Sequence, residues 1–387
     1  MQKKLIALAI AGLASAPAFA QSNVTIYGTV DFGYTVQNRN IARGVDARQG
    51  VDSGVSKANR IGFKVVEDLG NGLKVVGVLE NGLAGETTGV GILNGTARQS
   101  YAALAGGFGT VAFGRHYTPQ HLFQQAVDPF ATNGVGSSAN VLVKDQRLSN
   151  LAAYISPNWG GFSFITAYTN SYEGDESYGN KHTLAGNVNS LLQDARVIAF
   201  APSFTANGLF LGLNYHQAKL NEPNTGVEHL RVIEGYASYD FGPVKVGGLF
   251  GQRKTNLDDF LGTIDSDLKL TQWLLGAKVK LSSNDALLVS YAHRKFDFDG
   301  LASDTKLGQW ALGYEHSLSK RTALYAHYAG QTQNRSQKSA GGRIPGNDLA
   351  NAALFVAGDR ASGVGLSNIS ATTGYRQGVG VGIRHDF

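Results

Sequence analysis

The chain ends in Gly378-Val379-Gly380-Val381-Gly382-Ile383-Arg384-His385-Asp386-Phe387, an alternating strand whose last residue is aromatic. An unpaired strand edge invites aggregation, and proteins normally cover or abolish such edges. Closing the sheet into a barrel abolishes this one. The alternation predicts an outer row of Val379, Val381, Ile383, His385 and Phe387, and a lumenal row of Arg376, Gly378, Gly380, Gly382, Arg384 and Asp386.

The first twenty residues have the pattern of a secretory signal peptide. Lys3 and Lys4 form a basic start, residues 5–16 form a short apolar run, and Ala18-Phe19-Ala20 fits an A-x-A cleavage site. The apolar run is too short to span a bilayer by itself, and polar residues follow it at once. We therefore expect export, cleavage after Ala20, and a single barrel domain over residues 21–387.

The composition of the mature chain is uniform, and no linker between domains is visible. The chain has 50 Gly, 8 Pro and no Cys, so backbone hydrogen bonds and packing must hold an exported protein of this size without disulfides. The mean hydropathy of -0.13 is compatible with a transmembrane barrel, because only every second residue of a strand faces lipid. The net charge of +5 includes Lys3 and Lys4, and the cations are scattered, which argues against a nucleic-acid partner.

Segments of alternating polarity repeat along the chain and predict an all-β protein. Seven tight turns rich in Gly and Asn, residues that supply the positive φ of hairpins, lie at 70–72, 106–109, 158–161, 207–208, 242–243, 283–285 and 319–321. Eight longer polar segments lie at 38–57, 84–97, 118–147, 171–195, 221–229, 257–267, 299–305 and 335–373. The pattern predicts a 16-stranded antiparallel transmembrane β-barrel, wide enough for an aqueous channel. Residues 349–357 could form a loop helix or an extra hairpin, which leaves eighteen strands as the alternative.

The same alternation predicts which charged side chains line the lumen. In residues 59–65 the apolar side chains at 61, 63 and 65 face lipid, which directs Arg60 and Lys64 inward. By the same reasoning Arg98 points inward and Tyr101 outward. A charge on the lipid face costs a few kcal/mol at the bilayer midplane, whereas the lumen can solvate it. Each of these cations could equally be a solvated wall residue with no effect on selectivity.

Residues 110–117 form an exception, because Val111 and Phe113 share a face with Arg115. If Arg115 is lumenal, the outer surface of this strand consists of Ala112, Gly114 and His116. Small residues make a poor surface for lipid but suit contact with another subunit. We interpret the strand as a hint of oligomerisation, with a misread register as the alternative.

The segment 118–147 is long and unusually apolar for a surface loop, with Leu122, Phe123, Val127 and Phe130 beside Asp128 and Asp145. A loop folded back inside the barrel would pack this apolar area against the wall. We expect this third loop to narrow the pore and to set Asp128 opposite Arg60, Arg98 and Arg115. Opposed charges would create a transverse field there. The alternative is that Asp128 and Asp145 are merely solvated.

Short signatures follow one another in a specific order: VTIYG (24–28), RIGFK (60–64), EDLGNGL (67–73), RQSY (98–101), FGTV (108–111), GR (114–115), DPF (128–130), YISP (154–157), LSKRT (318–322), LY (324–325) and GIRHDF (382–387). In this order they resemble the general porins of the beta-proteobacterial outer membrane, over the whole mature length. The resemblance implies a homotrimer of sixteen-stranded barrels in contact with outer-membrane lipid and lipopolysaccharide. It further implies passive diffusion of small hydrophilic solutes and inorganic ions, often with a preference for anions. Three lumenal Arg facing few loop acids predict that this preference is weak.

The resemblance also implies roles for individual residues. Arg60, Arg98 and Arg115 would belong to a basic wall, Asp128 would lie on the constriction loop, and Phe387 would be the signal read by the barrel-assembly machinery.

One departure from the family concerns the residue before the YISP motif. The family commonly has Arg there, whereas this chain has Ala153. Lys144 and Arg147 would have to compensate for that missing charge, which weakens the expectation of strong anion selectivity.

The enzyme-like motifs in this sequence lack the flanking structure or residue spacing that catalysis would need. GVGSSA (134–139) matches a dinucleotide fingerprint in letters only, because no strand precedes it and no helix follows. The nine His residues show no zinc-site spacing, and no nucleophile elbow is present. The acidic run 173–176 is more simply a solvated loop than a divalent-cation site. We therefore predict no metal, no cofactor and no catalytic residue.

Two other functional classes stay open. A substrate-specific channel would use an aromatic track in which Tyr27 or Tyr117 could take part. An outer-membrane adhesin or hydrolase would need a protruding loop or a catalytic set near the rim, and the segment 335–373 is the candidate for such a loop.

Overall fold

The structure, a computed structural model, describes residues 23–38, 47–83, 97–130, 133–144, 146–170, 196–219, 227–257, 266–298, 305–333 and 377–387. The expectations for the signal peptide and Ala20, for Asp145, for the acidic run 173–176 and for residues 349–357 lie outside these ranges.

The described residues form strands throughout, with one α-helix and one 3₁₀ turn in the third long segment. The strands are β1 (Asn23–Gln37), β2 (Arg48–Ser53), β3 (Arg60–Gly70), β4 (Leu73–Gly82), β5 (Ala97–Gly106), β6 (Gly109–Tyr117), β7 (Arg147–Ile155), β8 (Phe162–Thr169), β9 (Arg196–Ala206), β10 (Leu209–Lys219), β11 (Val227–Asp240), β12 (Val244–Leu257), β13 (Ser266–Lys280), β14 (Asp285–Phe298), β15 (Thr305–Ser317), β16 (Thr322–Gln333) and β17 (Gln377–Asp386). Helix α1 is Pro119–Val127, and the 3₁₀ turn is Ser138–Asn140. No helix among these residues is long and apolar enough to cross a membrane.

The seventeen strands occupy sixteen positions in one closed antiparallel barrel. Strand β1 pairs with β17 on one side, and on the other side with β2 near its end and with β3 near its start. Strands β2 and β3 are therefore two halves of one wall position. Strand β16 pairs directly with β17, so no strand stands between them in the described wall. The expected count of sixteen is confirmed, although β2 lies within a segment expected to be loop.

The break between β2 and β3 folds inward and is held by Asp31. The carboxylate of Asp31 accepts hydrogen bonds from the backbone N–H groups of Ser56 (2.8 Å) and Lys57 (2.5 Å) and from the hydroxyl of Tyr325. The N–H of Gly54 donates to the Asp31 carbonyl at 2.8 Å. Because Asp31 satisfies these donors, residues 54–59 can leave the strand ladder without orphaning their backbone groups.

All seven expected tight turns join neighbouring strands at the predicted positions. Asn71 and Asn207 adopt φ of 51° and 48° there, a conformation that Asn tolerates better than most residues. The short turns and the C-terminus lie at one end of the barrel, and the strand ends that flank the long segments lie at the other. In bacterial outer-membrane barrels the short turns are periplasmic and the long loops extracellular.

The outer face of the barrel is apolar and is flanked by two rows of aromatic side chains. Near the short turns, rings such as Trp159, Phe164 and Tyr239 contact neighbouring rings. Further toward the long loops, at mid-strand on β13 and β14, Trp273 packs beside Tyr291 with ring centroids 5.3 Å apart. Two aromatic girdles around an apolar band are typical of a membrane-spanning barrel. The terminal strand follows the same rule, since Val379, Val381, Ile383 and Phe387 are exposed on the outer face.

Candidate pore constriction

The third loop, residues 118–146, crosses the lumen to the opposite wall. Thr118 caps α1, because its hydroxyl accepts a hydrogen bond from the His121 N–H at 3.1 Å, and a proline opens the helix. The Phe123 ring then packs edge-on against Phe210 of β10 and Tyr236 of β11, at centroid distances of 5.5 and 5.6 Å. The apolar residues that seemed excessive for a surface loop therefore form a core with the inner wall.

Buried polar groups fix the loop at this wall. The carboxylate of Glu234 accepts hydrogen bonds from the Gln120 amide (2.8 Å) on α1 and from the Gln272 amide (2.5 Å) on β13. The side chain of Gln272 also exchanges two 2.8 Å hydrogen bonds with the backbone of Val143. Further along, the Gln309 amide donates to the carbonyl of Ser137 at 2.8 Å. Loop and wall thus satisfy each other's polar groups, as buried groups require.

Glycines on the wall leave space for the loop backbone. A Cβ on Gly247 would lie 2.8 Å from the Val127 carbonyl oxygen, and a Cβ on Gly276 would lie 2.6 Å from Cδ of Pro129. Both distances are shorter than real Cβ contacts, so any larger residue at these positions would displace the loop.

The lumenal wall facing the loop carries a charge cluster centred on Glu80 of β4. Glu80 is only 2% exposed, and its Oε1 lies 2.7 Å from Nε of Arg98 and 3.9 Å from Nη1 of Arg60. The hydroxyl of Tyr27 donates to its Oε2 at 3.1 Å. The lumenal positions expected for Arg60 and Arg98 are confirmed by these contacts, and their counter-ion is a wall residue.

A β-bulge sets the direction of Arg98. Gln99 is paired with Glu80 and Ala97 with Asn81, so Arg98 is the extra residue of the bulge. Two residues of a bulged strand oppose one on its partner, and the side chains of both Arg98 and Gln99 reach Glu80. Beyond the bulge, the odd-numbered residues of β5 face the lumen instead of the even-numbered ones. Tyr101 therefore faces the lumen, where its ring lies 4.7 Å from that of His116, and the outward position expected for it is wrong.

Lys144 and Arg147, at the end of the third loop, extend the cluster. The guanidinium of Arg147 stands 5.1 Å from the centre of the Tyr117 ring, and the Tyr117 hydroxyl accepts a 2.7 Å hydrogen bond from Arg98. The fully buried His121 lies near Lys144 and Arg147. Burial, and then these two cations, hold the pKa of His121 well below its usual value. The imidazole is therefore neutral at physiological pH.

Asp128 does not face the arginines and braces the loop instead. Its carboxylate accepts hydrogen bonds from the N–H groups of Phe130 (2.9 Å) and Ser138 (3.2 Å) and from the Ser138 hydroxyl (2.5 Å). Burial raises the pKa of Asp128, while Ser138, Phe130 and Lys144 act in the opposite direction. The expectation that Asp128 opposes Arg60, Arg98 and Arg115 is wrong, because both of its carboxylate oxygens accept hydrogen bonds from within the loop.

Arg115 lies on the outer face and not in the lumen. Its register partner is Ser100, and the neighbouring outward residue Phe113 is 61% exposed. Arg115 donates to the Ala97 carbonyl at 2.9 Å and to the Ser149 hydroxyl at 2.6 Å, near the long-loop rim. The strand therefore turns its larger apolar residues toward the lipid, as a membrane-spanning strand should.

The interpretation of this strand as an oligomer contact is wrong for the same reason. Ala112 is buried in the barrel beside Ala103, and Gly114 and His116 share its lumenal face. These small residues therefore do not form an outer surface.

Lys64 has the predicted orientation but stands apart from the charge cluster. It pairs with Thr25 and Val78 on the lumenal face of β3, two pleats closer to the short turns than Arg60. Glu80, by contrast, was missed. It continues the alternating row of Val76 and Val78, so the argument that placed Arg60 inward could have found it.

The chain matches the family model of Gram-negative porins over residues 7–336. Outer membrane porin protein 32 of Delftia acidovorans is 32% identical over 301 residues, which cover 76% of this chain and 80% of that protein. Major outer membrane protein P.IB of Neisseria gonorrhoeae is 31% identical over 339 residues, 75% of this chain and 92% of that protein. The solved anion-selective porin from Comamonas acidovorans superposes with a TM-score of 0.69 at 28% identity, covering 95% of this chain and all of that one.

The fold and the relatives lead to one assignment. A closed sixteen-position barrel, an apolar outer band between aromatic girdles and a charged inner wall suit a multi-pass protein of the outer membrane with an aqueous interior. The chain therefore belongs to the Gram-negative porin family and forms a channel in the outer membrane.

Proposed function

We propose that this channel admits small hydrophilic solutes by passive diffusion and prefers anions. The observation that carries the proposal is the grouping of Arg60, Arg98, Lys144 and Arg147 around the neutral His121, with Glu80 as the carboxylate paired with Arg60 and Arg98. His121 is neutral, and Asp128, which interacts with Lys144, offsets at most one of the four positive charges. An excess of fixed positive charge lowers the energy of anions in the narrow region and raises that of cations.

The comparisons support the same reading. The Comamonas acidovorans porin, at 28% identity, is described as anion-selective. In this chain Ala153 takes the place of an arginine expected from the resemblance, whereas Arg147 at the start of β7 and Lys144 just before it supply positive charge at the long-loop end of the same strand. Lys64 extends the basic wall toward the periplasmic side. We propose weak rather than strong selectivity, because Glu80 offsets part of the charge.

The zero-current potential across a KCl gradient in a planar bilayer tests the sign of this selectivity. We expect an anion-favouring potential that falls in Arg98→Gln and in Arg147→Gln. Arg115→Gln is the matched control, since it removes the same charge from the outer face and should leave the potential unchanged. A cation-favouring potential in the unaltered protein would overturn the proposal.

A substrate-specific channel is the alternative. Tyr27 and Tyr117 were its candidate aromatic residues, but both hydroxyls are engaged with Glu80 or Arg98, which favours a structural role. Liposome swelling with uncharged sugars separates the two functions. Rates that depend on solute size alone support a general porin, whereas saturation by one sugar supports the specific channel. An adhesin or hydrolase activity would be independent of permeation.

Assembly follows from the same identification. We propose that the signal peptide is removed after Ala20, that the barrel-assembly machinery recognises Phe387, and that mature chains associate as homotrimers surrounded by outer-membrane lipid and lipopolysaccharide. Intact mass of the protein from outer membranes should correspond to a chain starting at Gln21. Light scattering in detergent should give the mass of three chains, and the mass of one chain would contradict the trimer.

A further inference from the structure

Residues 54–59, which connect β2 to β3, lie in the lumen against the tip of the third loop. We call them the inner clasp. The side-chain amide of Asn133, at the loop tip, donates a hydrogen bond to the carbonyl of Gly54 at 2.7 Å. Gly134 follows with a φ of 74°, and a Cβ there would lie 1.8 Å from the carbonyl oxygen of Val55. Only glycine permits this approach of two backbones, which explains the first glycine of GVGSSA (134–139).

The inner clasp also packs against the wall at β17. A Cβ on Gly380 would lie 2.9 Å from Cγ1 of Val55 and 3.8 Å from Cγ2 of Val135. Val55 and Val135 are only 3% and 2% exposed. The clasp, the loop tip and the inner face of β17 therefore form one apolar contact from which water is excluded.

Polar groups fix the clasp to the same part of the wall. In addition to the backbone N–H groups that Asp31 binds, the hydroxyl of Ser56 accepts a hydrogen bond from Nη1 of Arg384 at 2.9 Å. Nζ of Lys57 lies 2.7 Å from Oδ1 of Asp386. Asp31 is fully buried, and its hydrogen bonds are the stronger anchor, because a partly exposed ion pair contributes little.

Together the third loop and the inner clasp contact a continuous arc of the inner wall. The loop packs on β9–β13 around Phe123 and on β14–β16 around Phe130. The clasp continues this contact to β17 and, through Asp31, to β1. The charge cluster lies outside this arc, on β3, β4, β5 and β7.

We propose that the inner clasp closes the lumen beside β1 and β17 and so confines solutes to the opening lined by the charge cluster. Asp31 and Gly134 are then positioning residues of the constriction, because they hold the clasp to the wall and to the loop tip. The confinement itself does not depend on the proposed anion preference, whereas the effect on selectivity rests on it.

A second path at the clasp would add conductance without selectivity. Among the described side chains near the clasp, cations and carboxylates balance, with Lys57, Lys278 and Arg384 facing Asp31, Glu315 and Asp386. An ion passing there would meet little net charge. The charge cluster would act on it only weakly, because charges are screened over about 8 Å at physiological ionic strength.

Single-channel conductance and zero-current potential in a planar bilayer test the proposal. Gly134→Ala should separate the loop tip from the clasp, because the added Cβ has no room beside Val55. We expect a higher conductance and a zero-current potential that moves toward zero without changing sign. Gly160→Ala is the matched control, since Gly160 also has a positive φ, of 62°, but an added Cβ there meets no atom within 4 Å. It should behave as the unaltered channel does.

If Gly134→Ala does not assemble, Asn133→Ala provides the same comparison. It removes the hydrogen bond to Gly54 and should shift both quantities in the same direction, with Asn158→Ala at a short turn as its control. An unchanged or lower conductance in the assembled variant would overturn the proposal.

Thiol labelling reports directly whether water reaches the clasp, because the chain has no Cys of its own. Val55→Cys should be protected from a water-soluble maleimide in assembled channels and become labelled when combined with Gly134→Ala. Lys320→Cys, on an exposed short turn, should be labelled in both backgrounds. If Val55→Cys reacts as fast as Lys320→Cys in the otherwise unaltered channel, the clasp is open and the proposal is wrong. A lack of anion preference in the unaltered channel would refute the proposed function alone, since conductance and labelling still decide whether the clasp confines the path.

Discussion

Replacing Glu80 by glutamine should make the channel more anion-selective. The side chain keeps its size and can still accept the hydrogen bond from Tyr27, but the one described carboxylate of the charge cluster disappears. Arg98 and Arg60, at 2.7 and 3.9 Å from Oε1, would lose their counter-ion. The local excess of positive charge then rises by one unit.

The size of the effect follows from Coulomb's law. For an ion passing about 7 Å from Glu80 in a water-filled opening, one unit charge is worth about 0.6 kcal/mol at ε of about 80. The energy of an anion falls and that of a cation rises by this amount, so their difference changes by about 1.2 kcal/mol. The ratio of chloride to potassium permeability should therefore rise by about sevenfold. The lost charged hydrogen bonds should also lower stability, by about 1–3 kcal/mol.

The zero-current potential measures this ratio directly, in channels whose insertion and conductance steps are first shown to be normal. The control is Glu67→Gln on the same hairpin, because Glu67 is exposed and faces away from the lumen. We expect no shift for this control. An unchanged potential in Glu80→Gln, or a shift toward potassium, would show that the Glu80 cluster does not lie in the path of the ions.

Three further predictions concern the loop and the terminus. Gly276→Val should push the third loop off the wall at Pro129 and so raise single-channel conductance. The control Gly235→Ala should not, because the added Cβ would lie 4.0 Å from its nearest neighbour, the Phe250 carbonyl oxygen. The pKa of His121 is depressed in the folded protein, so below an unfolded pKa of about 6.5 the unfolded chain binds a proton that the folded chain does not. The free energy of unfolding should therefore be constant above that pH and fall below it, by up to about 1.4 kcal/mol per pH unit. His121→Gln should flatten this part of the pH dependence in chemical unfolding, and an equal slope in both proteins would exclude the role. Phe387→Ala should slow assembly into the outer membrane by pulse-chase, while assembled barrels keep normal conductance, because Gly28 pairs with the backbone of residue 387.

The regular parts of the wall were predictable from sequence because side-chain direction alternates without exception along an unbroken strand. Arg60 and Lys64 on β3 were placed correctly for this reason. On β5 the bulge at Arg98 and Gln99 changes the parity, so alternation assigned Tyr101 to the wrong face. Arg115 was misplaced because a charged residue was assumed to avoid the outer face, whereas near the rim it can reach polar groups.

The partners of the third loop could not be predicted, because they depend on contacts between distant segments. Its apolar content showed that it packs inside the barrel. That Glu234 and Gln272 hold it depends on the strand order and register of the opposite wall. Asp128 shows the converse problem. A short acidic side chain can bind nearby backbone N–H groups of its own loop, as Asp128 does with Phe130 and Ser138. The sequence prediction considered only its charge opposite the distant arginines.

The position of Glu80 separates two properties of the channel. Arg60, Arg98 and their carboxylate all belong to the wall strands β3–β5, so the ladder of the barrel preorganises these charges without the third loop. The width of the opening, by contrast, depends on the loop and on its seat at Gly276. Loop variants should therefore change conductance while the selectivity keeps its sign, whereas variants of Arg98 or Glu80 should change selectivity with little effect on conductance. Measuring both quantities on Gly276→Val and Arg98→Gln tests this separation, and a loop variant that reversed the selectivity would show that the loop, not the wall, sets the charge of the pore.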